Sequence, residues 1–331
     1  MPKRSHDVIT IGSALWDTFL TTEEFQEVAD KRFSTGYGEC FALGSKIEVD
    51  EAQYGSGGGA TNAAATFATL GYKTACVARV GDDLFGQRVL EELTEYGIDA
   101  KHVVVVKKGK TGSSVILTTP SGKRVVLVHR GVSSMFPQST IPWNLLQKTE
   151  WVYLTSLGGD CRLAEKVIAV AKKGGARVAW NPGRAELEHH PDTIMKLLRK
   201  DVDIFNVNRE EAQLLAGESS DDIRKLFSHF FSDSNRIRII TDGDHGAYLC
   251  NGASCYHSGT TSTRVVSATG AGDAFGSGVV ASLMRGDPIY MALQVGTLNA
   301  EGVIQSPGAK TGILTHFPSA KKLAGVPIRS L

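Results

Sequence analysis

The sequence is poor in cysteine, and it lacks a basic run, a long apolar run and two common nucleotide-binding patterns. Its five cysteines, Cys40, Cys76, Cys161, Cys250 and Cys255, are odd in number and contain no Cys-x-x-Cys pair. That argues against a disulfide framework and against a zinc site. A formal net charge of +1 is spread along 331 residues, so neither nucleic acid nor an anionic membrane surface is an expected partner. Met1 to Asp7 is polar, and the apolar run Val8 to Ile11 is far too short for a signal peptide or a membrane span. A cytoplasmic protein acting on small molecules is expected. The glycine-rich run Gly55 to Gly59 is not followed by Gly-Lys-Ser/Thr, and Gly44-Ser45-Lys46 does not supply one, which excludes a Walker-type P-loop. No Gly-x-Gly-x-x-Gly follows the first apolar run, which removes the main dehydrogenase reading.

What the chain does contain is an α/β rhythm. Val8 to Ile11, Thr74 to Val80, Trp151 to Thr155, Arg177 to Trp180, Ile204 to Val207 and Ile237 to Thr241 read as short buried strands. Helical stretches such as Leu163 to Lys173 and Pro191 to Lys200 separate them. This alternation predicts a mainly parallel sheet that binds ligands at the carboxyl ends of its strands. The rhythm breaks over Val103 to Val106, Ser113 to Thr118 and Val125 to His129, where β-branched runs punctuated by Gly109 and Pro120-Ser121-Gly122 predict hairpins in a small projecting sheet. Residues 21 to 53 show no strong period beyond a possible helical turn at Glu23 to Ala29.

The chain is organised around Val265-Val266-Ser267-Ala268-Thr269-Gly270-Ala271-Gly272-Asp273-Ala274-Phe275. It reads as a strand end, a turn of minimal side chains and an amphipathic helix. Gly270 and Gly272 let the backbone approach a ligand, and the unpaired amides at the helix start suit a phosphate. Asp273 falls in the first helical turn, where the helix dipole is expected to keep it ionised. On these residues alone it is either a helix cap or a catalytic base.

Thr269 to Phe275 resembles the C-terminal signature of the ribokinase-like (PfkB-type) carbohydrate kinases. The likeness runs through nearly the whole chain in the family's order. It takes in Asp17, the Gly-Gly-x-x-x-Asn pattern at Gly57, Gly58 and Asn62, the run Gly81 to Gly86, the Asn-x-x-Glu pattern at Asn208 and Glu211, and the Thr-x-Gly-x-x-Gly pattern at Thr241, Gly243 and Gly246. The resemblance implies a three-layer α/β/α fold in one domain, with a mainly parallel central sheet and a small β-sheet lid built from segments near 18–53 and 103–130. It also implies a homodimer through that lid. It implies transfer of the γ-phosphoryl group of ATP, with Mg²⁺, to a hydroxyl of a sugar, a primary alcohol first among them. Asp273 would take the proton and the Gly270-Ala271-Gly272 amides would stabilise the transferred group. Asp17, Gly57, Gly58, Gly59 and Asn62 would hold the sugar. Asn208 and Glu211 would position Mg²⁺ and the phosphates, Glu211 indirectly, and Thr241, Gly243 and Gly246 would lie beside the nucleotide. Thr297 or Asn299, on a small-residue helix from Ala292 to Ile304, would face the adenine.

Two departures stand out. Many family members begin the signature with Asp-Thr, whose aspartate helps ligate a monovalent cation; here the position is Ser267, followed by Ala268. Gly59 stands where ribokinases proper carry a lysine, which disfavours ribose. A nucleoside kinase of the same family is the rival reading, with Phe33, Tyr37 and Phe41 as a base pocket. A catalytically silent binding protein is the remaining alternative, and the intact Asp273 argues against it.

Overall fold

A computed structural model describes residues 4–33, 36–121, 123–230, 236–261 and 263–331. The strand His6–Ile11 lies between Thr74–Val77 and Thr149–Leu154, parallel to both. Arg177–Trp180, Ile204–Asn208 and Ile237–Thr241 continue the parallel array, and Ala247–Cys250, Cys255–Ser258 and Ile328–Ser330 extend it antiparallel into a 9-stranded sheet. The alternation of side chains along each strand feeds two cores. Val152, Leu154, Val178, Trp180, Phe205 and Val207 face one cluster, packed with the helices Cys161–Lys173, Pro191–Lys200, Arg209–Ala216 and Ile223–Phe230. Trp151, Tyr153, Ala179 and Ile204 face the other, with the helices Gly59–Thr69, Ala271–Arg285 and Ile289–Ile304. Helices on both faces of a mainly parallel sheet give the expected three layers. None of the described helices is long and apolar enough to cross a membrane.

A separate 4-stranded sheet has the order Arg124–His129, Gly112–Thr118, Leu15–Thr21, Glu51–Gly57. Two details differ from the sequence reading. Val104–Val106 does not join this sheet; it pairs in parallel with Arg79–Gly81. Glu23 to Ala29 is not helical, and Glu27–Ala29 forms a ribbon with Tyr37–Glu39. Long-range bonds override the local preference there: Thr119 Oγ1 and Lys123 Nζ donate to the Glu27 carboxylate at 2.7 and 2.8 Å.

The expectation against disulfides is corrected at one place. Cys250 and Cys255 are bonded. They face each other across the Ala247–Cys250/Cys255–Ser258 hairpin with Cα atoms 4.1 Å apart. The close approach of opposite residues in an antiparallel pair brings the sulfurs together, and a spacing pattern without register does not reveal it.

Candidate active site

The Ala271–Arg285 helix starts from Gly270, whose left-handed backbone (φ 82) turns the chain sharply. A Cβ at Gly270 would lie 2.3 Å from the Ala309 carbonyl oxygen, so only glycine allows residues 308–312 to pack under the turn. On the other side the turn is open: a Cβ at Gly272 would meet nothing within 4 Å. Ala271 and Gly272 line a cavity of about 430 Å³ together with Thr241, Gly243, Gly246 and Thr297. Ala271 N donates to the Ala268 carbonyl at 3.4 Å, while the Gly272 and Asp273 amides have no intrahelical acceptors and suit an anion at this helix start.

Asp273, half-buried in the first turn, accepts a hydrogen bond from Asn62 Nδ2 at 2.8 Å. The two residues stand 211 positions apart and meet because the Gly59–Thr69 and Ala271–Arg285 helices pack side by side. Burial pushes the Asp273 carboxyl above the usual aspartate range, against the pull of the Asn62 bond and the Lys310 charge. A carboxylate raised in this way is a better proton acceptor than an exposed one.

Asp17 comes from Leu15–Thr21, in the small sheet. It is buried, and Ser114 Oγ on the adjacent strand donates to its Oδ1 at 2.6 Å. Its pKa is also raised by burial. Gly57, on the neighbouring strand Glu51–Gly57 two residues beyond Asp17's partner Gly55, leaves room for this carboxylate: a Cβ there would sit 1.7 Å from Asp17 Oδ2. Gly58 caps the Gly59–Thr69 helix, and the Gly59 amide lies 3.3 Å from Ser13 Oγ. Asp17, the Gly57 to Gly59 backbone, Asn62 and Asp273 thus form one polar cluster.

Asn208 and Glu211 form a reciprocal capping box at the start of Arg209–Ala216. Glu211 N donates to Asn208 Oδ1 at 2.8 Å and Asn208 N to Glu211 Oε2 at 2.9 Å. This holds Glu211 with one oxygen engaged by the backbone, and burial raises its pKa. Arg209 pairs with Asp242 and so ties this helix start to the turn between Thr241 and Gly246. Among the described residues no three or more His, Cys, Asp or Glu gather to hold a metal ion. The Glu211 carboxylate, with one oxygen outside the backbone bond, is a donor of the kind that fits a hydrated Mg²⁺.

One expected residue is displaced from its role. Asn299 is fully buried, with Nδ2 donating to Thr66 Oγ1 and the Ala274 carbonyl at 3.1 and 2.7 Å and Oδ1 accepting from Leu314 N at 2.7 Å. Its amide ties the helices together and is not available to adenine. Thr297 does line the cavity, although its hydroxyl is engaged with the Leu293 carbonyl at 3.0 Å and with Ser258 Oγ at 2.9 Å.

Sequence reasoning missed Lys310. It is 6% exposed, and its Nζ reaches Ser56 Oγ at 2.8 Å, Asn62 Oδ1 at 3.3 Å and Glu92 Oε1 at 3.1 Å. An ammonium therefore approaches Asn62 although Gly59 stands at the position where the resemblance places a lysine.

The family model for pfkB family carbohydrate kinases matches residues 6–316. The chain belongs to that family. The carbohydrate kinase is 25% identical over 317 residues to a ribokinase of Staphylococcus aureus, covering 93% of this chain and 97% of that protein. Among solved structures it is similar to the adenosine kinase of Sinorhizobium meliloti, with a TM-score of 0.75, 20% identity and coverage of 94% and 97% of the two chains. It is likewise similar to Arabidopsis thaliana ribokinase complexed with ribose and ATP, with a TM-score of 0.72, 20% identity and coverage of 96% and 97%. These two likenesses place the chain in the ribokinase-like fold.

Proposed function

We propose that the kinase transfers the terminal phosphoryl group of ATP to a hydroxyl of a sugar or sugar derivative, with a primary alcohol as acceptor and Asp273 as the base. The observation that carries this reading is the position of Asp273. On one side are the amides opening on the 430 Å³ cavity; on the other is the polar cluster of Asp17 and Asn62. The cavity takes the nucleotide, with Thr241, Gly243 and Gly246 beside its ribose and phosphates. Asp17, Asn62 and the Gly57 to Gly59 backbone bind the acceptor and aim one hydroxyl at the phosphate. The small sheet acts as a lid that excludes water.

Phosphoryl transfer depends chiefly on alignment and charge neutralisation. Asp273 orients the acceptor oxygen and receives its proton, and the Gly270-Ala271-Gly272 backbone receives the charge on the transferred group. Mg²⁺ supplies charge neutralisation at the phosphates when bound, and Glu211 would help to hold it through its water shell.

The nucleoside reading rests on Phe33, Tyr37 and Phe41, all three of them exposed. Phe33 packs against Gly38, the Lys123 ammonium lies 3.8 Å from the Tyr37 ring centroid, and Phe41 packs edge-on to Phe25. The sugar reading is preferred on the match to the carbohydrate kinase family. An ATP-consumption assay against a panel of sugars and nucleosides tests it: turnover with sugars supports it, turnover with nucleosides alone replaces it with the rival, and turnover with neither supports a binding protein.

Two accompanying features have their own tests. Ser267 offers no carboxylate at the turn, and its Oγ accepts from Thr269 N at 3.3 Å. The rate is expected to be the same in potassium as in sodium or Tris salts; a large activation by potassium overturns this. The edge strand Arg124–His129 exposes Val126, Leu127 and Val128 at 47, 57 and 47%, a face suited to pairing with a second copy through the lid. Leu127→Glu is expected to convert a dimer to a monomer in sedimentation. A wild-type monomer refutes the dimer.

A further inference from the structure

Lys310 brings a cation into the centre of this site. Residues 308–312 follow the Ile289–Ile304 helix and pass beneath the Gly270 turn, so that Lys310 enters between Glu51–Gly57 and the helices Gly59–Thr69 and Leu84–Glu95. Its ammonium meets the Ser56 carbonyl and hydroxyl, Asn62 Oδ1 and Glu92 Oε1. Glu92 Oε2 in turn accepts from Ser56 N at 2.6 Å.

The two ends of a carboxamide have nearly the same shape, and their hydrogen-bond partners decide which way the group points. An ammonium only donates, so the Asn62 oxygen must face Lys310. The Asn62 NH₂ group is thereby turned to Asp273 Oδ2, where it donates at 2.8 Å. Removing the ammonium leaves the Asn62 oxygen without this donor, so the amide is no longer held from both ends. The Asp273 carboxylate, which only accepts, still selects the NH₂ end, but an amide held from one end alone tilts from the position that meets Oδ2, and weakening that hydrogen bond disfavours the ionised form of Asp273.

We infer that Lys310 is a positioning residue that acts through Asn62 to set the Asp273 carboxylate for phosphoryl transfer. The inference rests on the reading of Asp273 as the base. The alternative is a purely structural ion pair in which Lys310 and Glu92 merely fasten the 308–312 loop to the Leu84–Glu95 helix. The other charged groups acting on Lys310 are Asp17 from the small sheet and Asp273 itself, with Arg88, Glu91 and Glu95 around the adjoining cavity. None of them contacts the Asn62 oxygen in the way Lys310 does.

A double-mutant cycle separates the two roles. Lys310→Met keeps the apolar stem and removes the ammonium; Asn62→Ala removes the amide. Using the acceptor identified by the panel, Lys310→Met should lower kcat about 10- to 100-fold, as expected for a misplaced catalytic group, while KM for ATP changes less than about twofold, because the lysine lies outside the nucleotide cavity. In the Asn62→Ala background the same substitution should change kcat less than about twofold, an expectation of coupled sites. The acid limb of the kcat profile should also move to higher pH in Lys310→Met. Multiplicative losses in the double variant, or an acid limb that stays in place, overturn the inference. If Lys310→Met does not fold, E92Q/K310M replaces it in the cycle, since this pair leaves no unpaired buried carboxylate. An active Asp273→Asn enzyme defeats the base assignment itself, whereas additive losses alongside an inert Asp273→Asn enzyme defeat only the role of Lys310.

Discussion

Asp273→Asn is expected to lower turnover by about 10²- to 10⁴-fold, the usual contribution of a positioned base, while ATP binding measured by calorimetry persists. Asparagine matches aspartate in size, so the helix start and its amides keep their geometry. It cannot accept the acceptor hydroxyl's proton. The pH dependence follows from the same group. Asp273 must be ionised to act, burial sets its folded pKa above the usual aspartate value, and wild-type kcat is therefore lost as pH falls through that raised value. The variant should show no such limb. Wild-type turnover by Asp273→Asn would remove Asp273 from the mechanism.

Gly270→Ala is expected to be nearly as damaging for a different reason. The residue has φ 82, and the new methyl carbon would lie 2.3 Å from the Ala309 oxygen. The strained backbone alone costs about 1–3 kcal/mol, and the contact with main chain must be relieved by moving the turn or the 308–312 loop. Either movement displaces the amides that face the phosphate, and loss of one such donor costs about 10²- to 10³-fold in kcat. Gly272→Ala is the control for backbone strain: it has no positive φ and no neighbour within 4 Å of the new methyl, so its melting temperature should stay near wild type while that of Gly270→Ala falls. Equal melting temperatures for the two variants would contradict this account of Gly270.

Much of this arrangement was legible in the sequence because α/β sheets collect functional residues just beyond their strands. The strand ends at Ile11, Val207 and Thr241 showed where functional residues were to be expected, and the family resemblance singled out Asp17, Asn208, the glycine turn and Gly57, Gly58 and Asn62 there. What the sequence concealed depends on distant partners. Lys310 follows two small residues in a segment with no period, and lysine is seldom buried without a partner; its partners Glu92, Ser56 and Asn62 lie more than two hundred residues earlier. Asn299 looks like a helix-surface polar residue until Thr66, Ala274 and Leu314 close around it. The pairing of Cys250 with Cys255 likewise required the hairpin register. The burial that raises the Asp273 pKa is likewise a product of distant packing that the sequence does not display.

The most direct test of the central claim is a crystal structure with a non-hydrolysable ATP analogue and the acceptor that the panel selects. The account predicts the terminal phosphate against the Gly270 to Gly272 amides and the acceptor hydroxyl within hydrogen-bonding distance of the Asp273 carboxylate. A terminal phosphate bound away from that turn, or an acceptor hydroxyl beyond the reach of Asp273, contradicts it.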